Sequence, residues 1–288
     1  MHHPTLLASA LLCAAAIATS AFAAPPAYEA ETSIGNAYKK PKGAWETATN
    51  WEQNRVPDKG DTAWVSHSTT VTLSTKAPLA YGVKVGGKAP SELTILDGAE
   101  LRTISNIRVF RNIKETEAVL NIKGGYVQSG IDPKLAINAP LAIGGCPTYS
   151  GTGIVRISGG TYEGGIFIGS NLTNTGVGTL SVIGSAPTIR AKFDGRDALG
   201  VAPASTVEFI FDDKGVAPLD YAKSKVVFSE GSKLRIDGAA YQGKEQTIPL
   251  IYAKTLINKA QVEIVGFPTE KQAALVQTPK GLALKLKP

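Results

Sequence analysis

The chain has 288 residues, with 30 Lys and Arg against 24 Asp and Glu for a net charge of +6, and is 43% hydrophobic and 19% charged. That apolar content excludes a disordered chain, and 30 Gly with 17 Pro, in no Gly-X-Y period, exclude collagen while favouring a turn-rich, strand-rich fold. Positive charge is scattered without an aromatic-basic motif, which argues against a nucleic-acid partner.

The first segment, residues 1–23, reads as a secretory signal peptide. Leu6 to Ala18 is apolar, Ala21-Phe22-Ala23 supplies the small residues a signal peptidase reads, and Pro25-Pro26 follow. The apolar run is too short for a membrane anchor, so no transmembrane segment is expected after cleavage behind Ala23. Cys13 is an ordinary residue of the signal, because Ala10-Leu11-Leu12 is not a lipidation context. The expected location is secreted: extracellular, cell surface or periplasm. Cleavage leaves Cys146 as the single thiol, so no intrachain disulfide can form and the fold must rest on its core and backbone ladders. Residues 24–42 read as a flexible N-terminal segment.

Residues 43–200 read as a β-helix opened by an aromatic cap. Gly43, Trp45, Asn50, Trp51, Pro57, Asp61, Ala63, Trp64 and Val65 hold all three Trp of the chain within twenty residues. Large aromatics seal the open end of a stack efficiently. The alternative for Trp45, Trp51 and Trp64 is a platform on which sugars stack.

An internal repeat follows. Leu93-Thr-Ile95, Leu120-Asn-Ile122, Val155-Arg-Ile157 and Leu180-Ser-Val182 share an apolar-polar-apolar pattern before a tight turn. A second set is Val83-Lys-Val85, Ile107-Arg-Val109, Leu141-Ala-Ile143 and Ile166-Phe-Ile168. The first set advances by 27, 35 and 25 residues and the second by 24, 34 and 25, so both lengthen in the same turn. A unit of about 25 residues cannot bury its apolar face alone and must stack on its neighbours. The expected fold is all-β: a β-solenoid, most simply a right-handed parallel β-helix. A competing reading is an antiparallel sandwich of hairpins, which requires no such period. Gly98, Gly125, Gly160, Gly144 and Gly169 follow these strands and mark the corners. The extra residues fall between Gln128 and Ala139 and read as a loop bulging from the stack. Residues 201–288 keep the alternation, as further coils or as a small β domain capping the C-terminal end.

Chemistry is sparse. His67 is the only histidine after residue 3, which leaves no His/Cys zinc set and no cofactor motif. Gly151-Thr-Gly153 and Gly176-Val-Gly178 precede strand patterns rather than helices, so they are not phosphate loops. The carboxylate pairs Glu115/Glu117 and Asp194/Asp197 have the proximity for acid-base work or a cation. Arg102, Arg108 and Arg111 suggest a basic stripe, with Arg108 pointing outward between Ile107 and Val109, for an anionic polysaccharide or a cell-surface component. Asp132, in the inserted loop, is a further candidate contact.

The spaced opening of Trp45, Trp51, Pro57, Asp61, Ala63 and Val65, the Leu-x-Ile-x-Gly-Gly rungs, and the closing run Gly231 to Gly238 with Ala240-Tyr241 resemble the secreted β-helical repeat proteins of bacteria with autotransporter-associated β-strand repeats. The resemblance covers most of residues 43–286, and its motifs are structural. It implies a passenger-like, adhesin-like protein. No translocation barrel, sorting signal or hydrophobic C-terminal anchor is expected behind Lys285-Leu286-Lys287-Pro288. The functional expectation is a non-enzymatic secreted or cell-surface β-solenoid with a structural, adhesive or glycan-binding role. The alternative is a carbohydrate-active β-helix enzyme of the polysaccharide lyase or glycosidase type.

Overall fold

A computed structural model describes residues 33–287 except 88, 112–116, 132–139, 147–148, 170–175, 196, 245 and 269–271. The signal segment, Glu115, Asp132 and most of the inserted loop lie outside the described residues. The described part belongs to one compact unit and folds as a right-handed parallel β-helix with three faces.

The coils wind through three faces, and the third carries strands only from Glu100 onward. The first face runs through Ile34–Ala37, Asp61–Val65, Gly82–Gly87, Ile107–Arg111, Leu141–Ile143, Ile166–Ile168 and Leu199–Val201, each parallel to the next. The second runs through Lys42–Ala44, Thr70–Leu73, Ser91–Ile95, Ala118–Ile122, Thr152–Ile157, Val177–Ile183, Thr206–Ile210, Lys233–Asp237 and Gln261–Val265. The third holds the short strands Glu100–Arg102, Tyr126–Gln128, Thr161–Glu163 and Thr188–Arg190. The long strands Leu219–Phe228 and Thr247–Asn258 pass from the third face to the first, with a register shift between Tyr221 and Lys225 at the corner.

The interior is built from columns in which each apolar side chain sits on its counterpart one coil away. Leu93, Leu120, Val155 and Leu180 form one column, and Ile95, Ile122, Ile157 and Val182 the next, all fully buried and joined by parallel pairing. The sandwich reading is therefore excluded. Strict alternation places Thr94, Asn121, Arg156 and Ser181 on the outer side. The five corner glycines all adopt positive φ. At Gly144 the need is twofold, since φ is 79° and a Cβ there would lie 2.1 Å from the carbonyl oxygen of Val177 in the coil above.

The helix begins earlier than expected. Ile34–Ala37 and Lys42–Ala44 pair with the first full coil, so residues 34–42 are part of the stack rather than a flexible lead-in. Beyond residue 201 the coils continue through Gln261–Val265, and only then does an antiparallel hairpin, Gln272–Thr278 with Gly281–Lys287, add to the edge of Thr247–Asn258. The C-terminal part is thus both coils and cap.

At the N-terminal end Trp45 and Trp51 are fully buried, with ring centroids 4.8 Å apart, and Tyr38 meets Trp51 at 5.1 Å. Trp51 Nε1 donates to the carbonyl of Trp45 at 2.7 Å. The carboxylate of Asp61, itself buried, receives both terminal nitrogens of Arg55. Glu46 Oε1 accepts the backbone N–H groups of Ser74 and Thr75 at 2.6 and 2.8 Å, tying the cap to the next coil. The spaced N-terminal motif is therefore a packing and capping device.

Ile157→Asp places an unpaired carboxylate between Ile122 and Val182 and should cost about 4 kcal/mol. Arg156→Gln, one residue away on the outer side, should cost about 0.5 kcal/mol or less. Chemical denaturation of both variants measures the difference, and equal losses would mean that the inward and outward faces are misassigned.

Candidate functional site

The outer surface is also organised in columns, because a side chain on one coil lies about 4.8 Å from its counterpart on the next. On the third face the column reads Arg102, Gln128, Glu163, Arg190, Asp220, Tyr252. Its centre is Glu163, only 3% exposed although it points outward. Arg190 Nε donates to its carboxylate at 2.8 Å, Lys192 Nζ lies at 3.2 Å, and the Tyr126 hydroxyl donates to it at 2.5 Å. Burial alone pushes the Glu163 pKa up, but the hydrogen bonds from Tyr126, Arg190 and Lys192 together outweigh it and hold the carboxyl below its ordinary range. Burial and the same contact raise the Tyr126 phenol well above its usual value.

On the second face, Glu92 accepts from Asn121 Nδ2 at 2.7 Å and from Thr94 Oγ1 at 3.0 Å. Glu208 accepts from Ser181 Oγ at 2.9 Å and from Arg235, which also reaches Asp237 at 3.0 Å. Glu163 and Glu208 are thus paired with bases of the next coil, while Glu92 is held by Asn121 and Thr94.

The first face carries the column Ala37, Trp64, Lys84, Arg108, Ala142, Phe167. Trp64 is 39% exposed, the only tryptophan on the outside, and Lys84 Nζ stands 5.0 Å from its ring centroid.

Several expectations require correction. Trp45 and Trp51 offer no surface to a sugar, since both are sealed in the cap. Arg108 does point outward, but it is only 4% exposed and cannot serve as an open contact. The basic stripe is divided: Arg102 lies on the third face, bonded to Gln128 Oε1 at 3.2 Å, while Arg108 lies on the first. Arg111 ends its strand by bridging to Thr152 through the backbone, and its side chain is outside the described residues. Glu117 is exposed just ahead of Ala118. Asp194 and Asp197 do not act together. Asp194 is exposed and pairs with Lys223 at 2.7 Å, whereas Asp197 is buried and accepts the backbone N–H groups of Lys192 and Phe193 at 2.6 and 2.8 Å. Burial raises the Asp197 pKa despite those bonds. His67 is exposed at φ 70°, with Nδ1 2.8 Å from the neighbouring Ser66 Oγ. Among the described residues no group of three His, Cys, Asp or Glu is placed to hold a metal ion.

The sequence carries a faint signal for the Glu163 cluster. Leu101, Val127, Tyr162 and Ile189 advance by 26, 35 and 27 residues, the same rhythm as the other two columns, but each sits in a three-residue strand too short to show alternation. No protein-family model, curated protein or solved structure matches the chain.

Glu163→Gln tests the buried ladder. A carboxylate held below its ordinary pKa contributes stability that is complete above about pH 4.5 and is lost as pH falls through its folded value. Wild type should therefore lose stability below about pH 4.5 more steeply than the variant, which should be the less stable of the two at pH 7. Urea melts at a series of pH values report both, and parallel curves would remove Glu163 from the account.

Proposed function

We propose that this protein is a non-enzymatic, secreted or cell-surface β-solenoid of structural or adhesive role that holds glycans on its outer surface. The observation that carries this reading is the mutual pairing of acids and bases on the second and third faces. General acid-base chemistry needs a base, an acid and a charge stabiliser held for the substrate. Glu163, Glu208 and Glu92 are instead already engaged by Arg190 and Lys192, by Arg235, and by Asn121. Such ladders stiffen a rod and present a regular polar surface. The resemblance to bacterial passenger-like repeat proteins and the apolar leader of residues 1–23 support export.

Two measurements test this. Expression with the leader in a bacterial host should deliver protein to the periplasm or medium with an N-terminus at Ala24, and retention of the full chain in the cytoplasm would overturn the export reading. Purified protein on a glycan array should bind without turnover. Release of unsaturated or reducing sugars from an acidic polysaccharide, abolished in a folded Glu163→Gln or Glu117→Gln variant, would establish the enzyme instead.

A further inference from the structure

We infer that the outer edge of the strand Gln272–Thr278 docks a second copy of this chain, paired antiparallel about a two-fold axis at Leu275. This goes beyond the glycan-binding reading and does not depend on it.

The strand pairs with Gly281–Lys287 in unbroken register, and among the described residues no strand lies along its other edge. Leu286 N–H donates to the carbonyl of Gln246 at 2.9 Å, so opposite Ala273 the inner strand of the hairpin bonds away from its partner. Antiparallel bonding alternates residue by residue. Ala274 and Val276 therefore bond to Lys285 and Ala283, while the N–H and C=O groups of Ala273, Leu275 and Gln277 point to the free edge.

Open edges are normally blunted by charge, proline, a bulge or a covering segment. Gln272-Ala-Ala-Leu-Val-Gln-Thr278 carries no charge and no proline, and its register has no shift. The opposite end of the molecule is treated differently, since the carbonyls of Gly35 and Ala37 already accept Gln53 Nε2 and Glu52 N–H.

Charge and packing together select the occupant. A two-fold axis sets residues near it against their own copies, so a charged strand repels itself and an uncharged one does not. With the axis at Leu275, that residue exchanges both backbone bonds with Leu275 of the second copy, and Ala273 does so with Gln277. Ala274 then lies opposite Val276, so Lys285, one strand further in, meets no like charge across the contact. Packing points the same way. Ile248, Leu284 and Leu275 stand side by side across three strands, and only the last is left half-buried. Leu275 of the second copy covers it and continues the row. A single strand pair buries less than the roughly 1,600 Å² of a standard interface, so the dimer is a reversible one.

Sedimentation velocity of the mature chain between about 1 and 200 µM should show the average mass rising from one chain to two, with no larger species. Ala273→Pro removes an edge donor while leaving the hairpin ladder intact, and Gln277→Lys places a charge at an exposed edge position. Each should weaken the dimer about tenfold or more, with a thermal midpoint near wild type. Cross-linking reads the register. In a Cys146→Ser background, an Ala274→Cys chain mixed with a Val276→Cys chain should oxidise to a linked heterodimer, because such non-bonded pairs bring Cα atoms to about 4.5 Å. Either chain alone should link far more slowly. A monomer throughout the concentration range would overturn the proposal. A dimer that ignores both edge variants and gives no cross-link lies elsewhere, for instance on the free edge of Gln261–Val265, and would overturn it equally. Growth beyond two chains would overturn the closed two-fold pair.

Discussion

Everything in this molecule depends on the parallel backbone ladder that joins each coil to the next. Because parallel pairing sets equivalent residues directly above one another, the chain must repeat side-chain character coil by coil, inside and out. Inside, this gives columns such as Ile95, Ile122, Ile157 and Val182, where each residue covers and is covered by its counterpart. With no disulfide available after residue 13, those columns and ladders are what oppose the chain entropy.

The same stacking governs the exterior. Two like charges one coil apart face one another at ladder spacing, and the outer columns of the second and third faces set opposite charges or neutral polar groups side by side instead. Arg102, Gln128, Glu163 and Arg190 follow this rule on the third face, and Ser181, Glu208 and Arg235 on the second. The consequence is functional as well as structural. Groups that satisfy one another across coils are withdrawn from chemistry, and on the first face Trp64, Lys84 and Arg108 follow one another in successive coils with the Lys84 ammonium over the Trp64 ring.

The ends of the ladder require separate solutions. At the N-terminus, Trp45, Trp51 and Tyr38 form a sealed aromatic plug, pinned by Arg55 on Asp61 and by Glu46 on the next coil. At the C-terminus an antiparallel hairpin supplies the last strands to the third face, and Phe211, Tyr241 and Phe267 cluster edge to face nearby. At the N-terminal end, Ala37 and Gly35 of the first strand have their carbonyls taken by Glu52 N–H and Gln53 Nε2, which occupies an edge that would otherwise template pairing with another chain.

The sequence by itself determined the repeat, its period, the inward residues of two faces and the corner glycines, because period-two alternation and a fixed rung length are local properties that survive without coordinates. It also marked the aromatic cap. It did not show the third face, whose strands are three residues long and display no alternation. Nor did it show which side chains share a column, since Glu163 and Tyr126 stand 37 residues apart in the chain and meet only when a coil with an insertion closes. Arg108 illustrates the limit on a single residue: alternation correctly turned it outward, yet burial is set by what surrounds a position in space. Trp64 is the converse case. Three tryptophans close in sequence looked alike, and only the tertiary structure separated them, burying two in the cap and laying the third over a glycine from another coil.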